Sequence, residues 1–149
     1  MRRSMWCFAC ALIALTFFLL LSCAATPQRP FTGSWVNESA GQRNYRYVYG
    51  ADGKIQGFGS PDSKAPEMEG RYVVEKSQID SVGSSWFWIK ERWSGAPFSD
   101  ASPSVWYVLV KVAKDGTTFE QDASLGHYPD GFSPDTLGHG FHCIYRLEK

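Results

Sequence analysis

The softest ligand set in this 149-residue chain is crowded into His139-Gly140-Phe141-His142-Cys143. Those residue types suit a metal ion, but their spacing does not. On a strand, successive side chains point to opposite faces, so His142 turns away from both His139 and Cys143, and the pattern matches no zinc signature. His127 falls in a loop, and no metal or other cofactor is expected. Hydrolytic chemistry finds no better footing, because neither Gly-x-Ser-x-Gly nor His-Glu-x-x-His occurs and no pair of acids is set apart in a motif. Glu91 beside Arg92, and Glu67 near Glu69, read as solvated strand or loop charges. Asn37-Glu38-Ser39 matches a glycosylation sequon, an accidental match on an inward-facing strand residue. The expectation is a protein that is not an enzyme. Aromatic surface is what remains for recognition: six Trp, seven Tyr and ten Phe make up 15% of the chain, and such residues either fill a core or offer faces on which a ligand stacks.

The elements that must position these residues are short and strand-like. Eight runs, at 31–37, 44–50, 54–59, 70–76, 84–93, 104–113, 117–122 and 140–147, are bounded by Gly, Pro, Asn, Asp and Ser. Asp52-Gly53 and Asp115-Gly116 join two pairs of them, and an Asp-Gly pair accepts positive φ at little cost, which marks a hairpin. No window shows helical periodicity free of proline and glycine. Eight strands without crossover helices predict an all-β, antiparallel up-and-down barrel, able to hide its edges and hold one small ligand or only its own side chains. In the sixth run Trp106, Val108, Val110 and Val112 share one face. In the fifth, Trp86, Trp88, Lys90 and Arg92 share one face, and Phe87, Ile89, Glu91 and Trp93 the other. Both faces of the fifth run are therefore partly aromatic, which fits either a core face plus an outer face covered by a loop, or a binding wall. Three longer connections, around 59–70, 94–104 and 122–138, are candidates for the mouth.

The first 30 residues follow other rules. Arg2 and Arg3 precede an uncharged run from Trp6 to Leu21, and small residues follow; this describes a secretory signal rather than a spanning helix. Residues 1–22 are read as signal peptide, 23–30 as a tether and 31–149 as the barrel domain. Cys7 and Cys10 leave with the signal, and Cys143 is left without an intramolecular partner, so the fold must rest on its core. Lys and Arg balance Asp and Glu at 15 each, and no basic stripe stands out to suggest nucleic acid.

Leu20-Leu21-Ser22-Cys23 resembles the lipobox of bacterial lipoproteins, which implies lipidation of Cys23 and a membrane partner through that lipid. Ala24 resembles the residue that sends such proteins to the outer membrane, facing the periplasm. Several acyl chains would hold the protein firmly. Gly33-Ser34-Trp35, at the head of the first run, resembles the Gly-x-Trp motif of the lipocalin and avidin (calycin) barrels. That resemblance implies that Trp35 closes one end of the barrel with Gly33, beneath Arg146 of the last run. The ends of the domain, "TGSWVN", "GADGKIQG" and "HCIYRL", are similar to avidins. They imply Asn37 and His142 as polar ligand contacts, with Trp106 and either Trp86 or Trp88 as walls; with Val108, on the face of Trp106, these are expected to line a site for a small, partly apolar or aromatic ligand. Gly41 and Gly59 stand where the family has a serine and a tyrosine, so biotin itself is not expected. Two alternatives remain open. One is an envelope protein-binding module, such as a lysozyme or protease inhibitor working through Tyr128, Asp130 and Phe132. The other is a structural lipoprotein whose barrel is filled by side chains.

Overall fold

The computed structural model describes residues 31–39, 45–94, 104–139 and 141–149. The predicted signal and tether, including Cys23, and the departure at Gly41 lie outside the described residues.

All eight runs form strands: β1 (Gly33–Asn37), β2 (Arg46–Tyr49), β3 (Lys54–Phe58), β4 (Met68–Ile79), β5 (Ser85–Ser94), β6 (Ser104–Val112), β7 (Thr118–Ser124) and β8 (Cys143–Leu147). Each pairs antiparallel with the next, and β1 closes on β8, so the sheet is a closed barrel in sequence order. The Asp-Gly signals are met at Gly53 and Gly116, where φ is 82° and 70°. β4 runs past its predicted end because the register shifts between Val74 and Lys76, a bulge that lets the strand bend and continue along β5. β8 begins at Cys143 rather than at 140, and the connection before it contains a 3-10 turn, Pro134–Thr136.

Up-and-down order sorts the connections by end. The short turns after β2, β4 and β6 lie at one end, with Phe31. The connections after β1, β3, β5 and β7, three of them long, lie at the other. The closed end is built from aromatic rings. Phe31 folds in beneath β1, its ring 5.2 Å from that of Tyr49 and 5.0 Å from that of Phe87. Trp35 is 1% exposed, lies 4.7 Å from the Phe119 ring, and donates its indole N–H to the Phe31 carbonyl at 2.6 Å. Gly33 adopts φ +137°, and a Cβ there would stand 2.9 Å from Leu147 Cδ1. The backbone therefore favours glycine here, whereas the end of the Leu147 side chain could shift to admit a Cβ.

Arg146 is not part of this closure. β8 turns Cys143, Tyr145 and Leu147 inward, which sends Arg146 to the outer wall, where its guanidinium meets Glu38 at 2.8 Å with 65% of its side chain exposed. Trp35 packs instead against the Phe119 ring, tilted 60° to it. Arg146→Ala is expected to change the free energy of unfolding by no more than about 0.5 kcal/mol, the worth of an exposed ion pair. Chemical denaturation checks this, and a loss several times larger would return Arg146 to a structural role.

The double aromatic character of β5 is resolved by the last long connection. Phe87, Ile89, Glu91 and Trp93 are buried inside, and Trp86 and Trp88 project outward, contrary to the expectation that one of them lines the interior. Lys76 Nζ stands 4.3 Å over the Trp88 ring. Trp86 donates to Asp80 at 2.9 Å and stacks on Phe132 of the β7–β8 connection at 5.5 Å. That connection straps the outer wall: Phe132 also stacks on His142, and Tyr128 packs edge-on against Tyr107.

Candidate functional site at the barrel mouth

A strand that alternates Phe87, Ile89, Glu91 and Trp93 on one face must carry its one charged member wherever that face goes. In a closed barrel it goes inside. Glu91 is 3% exposed, among rings, near the mouth end of β5. Its carboxyl is held by two donors from different sources. Trp93, two residues on and on the same face, donates its indole N–H to Oε2 at 2.8 Å. Tyr49, the last residue of β2, donates its hydroxyl to Oε1 at 2.8 Å, and the Tyr49 hydroxyl oxygen also lies 3.3 Å from Gln121 Oε1 of β7. One O–H serves one acceptor at a time. A protonated Glu91 that donates to Tyr49 frees the phenol to donate to Gln121, so the neutral acid completes the chain of hydrogen bonds that the carboxylate leaves one donor short.

Burial pushes the Glu91 carboxyl up to about 7, overcoming the Tyr49 and Trp93 hydrogen bonds, which favour the charged form. The Tyr49 phenol is likewise raised, by burial first and then by Glu91. A carboxyl in such surroundings changes charge near neutrality, which an exposed one does not.

Above this acid is a cavity of about 50 Å³, lined by Tyr47, Met68, Glu91, Trp93, Trp106, Gln121, Ala123 and Phe141. Trp106 and Phe141 are its outer walls, their ring centroids 4.3 Å apart, and Phe141 is 42% exposed. The space holds about a water molecule or two. Anything larger must displace lining side chains, of which Phe141 is the most exposed; it precedes β8 on the long connection and belongs to no strand.

The predicted site residues do not all meet here. Trp106 lines the cavity and Val108, fully buried, packs in the core below it. Asn37 is at the mouth end of β1, but its Oδ1 accepts from the Ser39 N–H at 2.8 Å. His142 was expected to face a ligand; it is 1% exposed but lies on the outer wall, because inward Cys143 follows it directly. It is buried there by the strap, between Thr136 Oγ1 at 2.8 Å and Glu120 Oε1 at 2.7 Å. Trp86 and Trp88 are outside as well, so the corner that Asn37 and His142 were to share does not form. Cys143 faces inward, and burial raises its thiol, which leaves it less reactive. Tyr128 and Phe132 lie on the chain's own wall, Tyr128 donating to Glu75 at 2.9 Å.

Glu91 itself is the residue the spacing argument misread as solvated. The signal was present in its company, since a charge flanked at i−2 and i+2 by Ile89 and Trp93 shares their face. No family model, curated protein or solved structure matches this chain.

Proposed function

We propose that this chain is a lipid-anchored envelope barrel of calycin type that binds a small aromatic or partly apolar molecule at its mouth, without catalysis. The observation that carries the reading is the placement of one buried acid, Glu91, at the base of a cavity walled by Trp106 and Phe141. Binding sites for small molecules are mostly apolar with a few convergent polar groups, and burying a carboxyl is costly to a fold that does not use it. The ligand would enter by moving Phe141 aside, stack against Trp106, and present an N–H or O–H donor to Glu91 or Gln121. The remainder of the barrel is filled by its own rings, so specificity would be confined to this end. The calycin reading draws support from the strand order and from the buried Trp35, and the anchoring from the Cys23 context.

Native mass spectrometry of the full chain, isolated from its host membrane in neutral detergent, tests the binding. The expected result is a co-purifying molecule that is lost from Trp106→Ala and kept by Trp88→Ala, whose substitution is on the outer wall. Recurrent absence of any adduct from the wild-type chain, or an adduct retained by Trp106→Ala, would overturn the reading.

A further inference from the structure

The outer wall of β3 to β6 carries a row of cations that the fold neutralises only in part. Lys54 faces Arg71 across the β3–β4 pair, and Arg71 faces Arg92 across β4–β5. One row along, Val73 faces Lys90 and Lys90 faces Tyr107. Like charges set directly opposite each other weaken a sheet, so three in line are a cost that folding alone does not select. Lys54 has Asp52 at 3.5 Å and Lys90 lies over the Tyr107 ring at 5.3 Å. Among the described residues no carboxylate comes within ion-pair distance of Arg71 or Arg92. Glu69, which lines one side of this wall, accepts from the Gln56 amide at 2.8 Å, and Glu75, beyond Tyr107, accepts from the Tyr128 hydroxyl at 2.9 Å.

The wall is concave on both sides of the arginine pair. One groove, about 490 Å³, runs past Lys54, Gln56, Glu69 and Ser94; the other, about 620 Å³, runs past Val73, Lys90, Val105 and Tyr107. Arg71 and Arg92 line both. Two guanidinium forks offer paired donors that fit phosphate oxygens, and an ammonium adds a point charge. Val73, 59% exposed, supplies apolar surface beside them. The combination fits an anionic head on an apolar stem.

We propose that this wall docks on the phosphate headgroups of anionic lipids in the membrane that carries the N-terminal anchor. The proposal rests on the anchored reading above: a tether of eight residues, 23–30, reaches about 25 Å at full extension and keeps the barrel beside the bilayer. Docking would fix the barrel's orientation on the surface, a role separate from the mouth site.

The test uses the full chain in nanodiscs of phosphatidylcholine alone, or with phosphatidylglycerol added, and reads arginine modification by phenylglyoxal. Arg71 and Arg92 are expected to be protected several-fold in the anionic discs and to lose that protection at high salt, while Arg146 reacts equally in both. Arg92→Glu sets a carboxylate opposite Arg71, which relieves the repulsion and so preserves folding; it should abolish the difference at Arg71. Equal reactivity of Arg71 in neutral and anionic discs would overturn the proposal. So would equal protection by inorganic phosphate alone, which would assign the groove to a free anion. Failure of anchoring shows separately, as a chain that does not co-elute with neutral discs; Arg92-dependent co-elution with anionic discs would still support docking.

Discussion

Trp35→Ala should destabilise the barrel by about 3 to 5 kcal/mol, the range for truncating a buried large aromatic. Trp35 is 1% exposed, its ring lies 4.7 Å from that of Phe119, and its indole N–H holds the Phe31 carbonyl at 2.6 Å. Truncation empties the closed end and removes the donor that fixes Phe31. The loss should spread, because Phe31 in turn packs on Tyr49, Tyr72 and Phe87, from three further strands. Trp35→Phe separates the two contributions: it keeps most of the ring, forfeits the hydrogen bond and should cost about 1 to 3 kcal/mol, as for a buried carbonyl left unpaired. Urea denaturation of the full chain in neutral detergent checks both. Near-wild-type stability for Trp35→Ala would mean that the end is held by something other than this ring cluster.

The second large effect is a dependence of stability on pH with a sign opposite to that of most carboxylates. The folded Glu91 carboxyl is raised to about 7 from an ordinary value of 4.5. Between those values the folded chain holds a proton that the unfolded chain has released. Linkage then makes stability fall as pH rises through this window. The contribution is fully present below pH 4.5 and gone above about 7. At 1.36 kcal/mol per pH unit the span amounts to about 3 kcal/mol. Glu91→Gln keeps the shape and an acceptor for Trp93 but cannot ionise. It should flatten the profile between pH 4.5 and 7 and leave the variant more stable than wild type at pH 8. A wild-type profile that rises across the same interval, or one that Glu91→Gln leaves unchanged, would show that the acid reaches water.

These two residues also mark what could be read in advance. Trp35, Gly33 and the Asp-Gly turns are local features, whose meaning depends on neighbours a few positions away, and the all-β barrel followed from them and from strand count. The site was less legible because its parts come from distant strands. The Tyr49 that bonds Glu91 is 42 residues away, and the Gln121 beyond it is 72 from Tyr49. No spacing rule connects them until the sheet closes. Trp86 and Trp88 misled for a related reason: which of two apolar faces is inside depends on the return of the 125–142 connection, which brings Phe132 onto Trp86 and buries His142 against the outer wall. Arg146 was assigned by likeness to a position, whereas the inward turn of Cys143 and Tyr145 sets its direction.

The central claim is that this barrel, otherwise filled by its own rings, keeps one protonatable acid sealed beneath its mouth. The carboxyl carbon of Glu91, followed by NMR against pH in the isotopically labelled full chain, tests it most directly. A titration midpoint near 7, moving down when Trp106→Ala opens the cavity to water, is the expected result. A midpoint near 4.5 in the wild-type chain would contradict it.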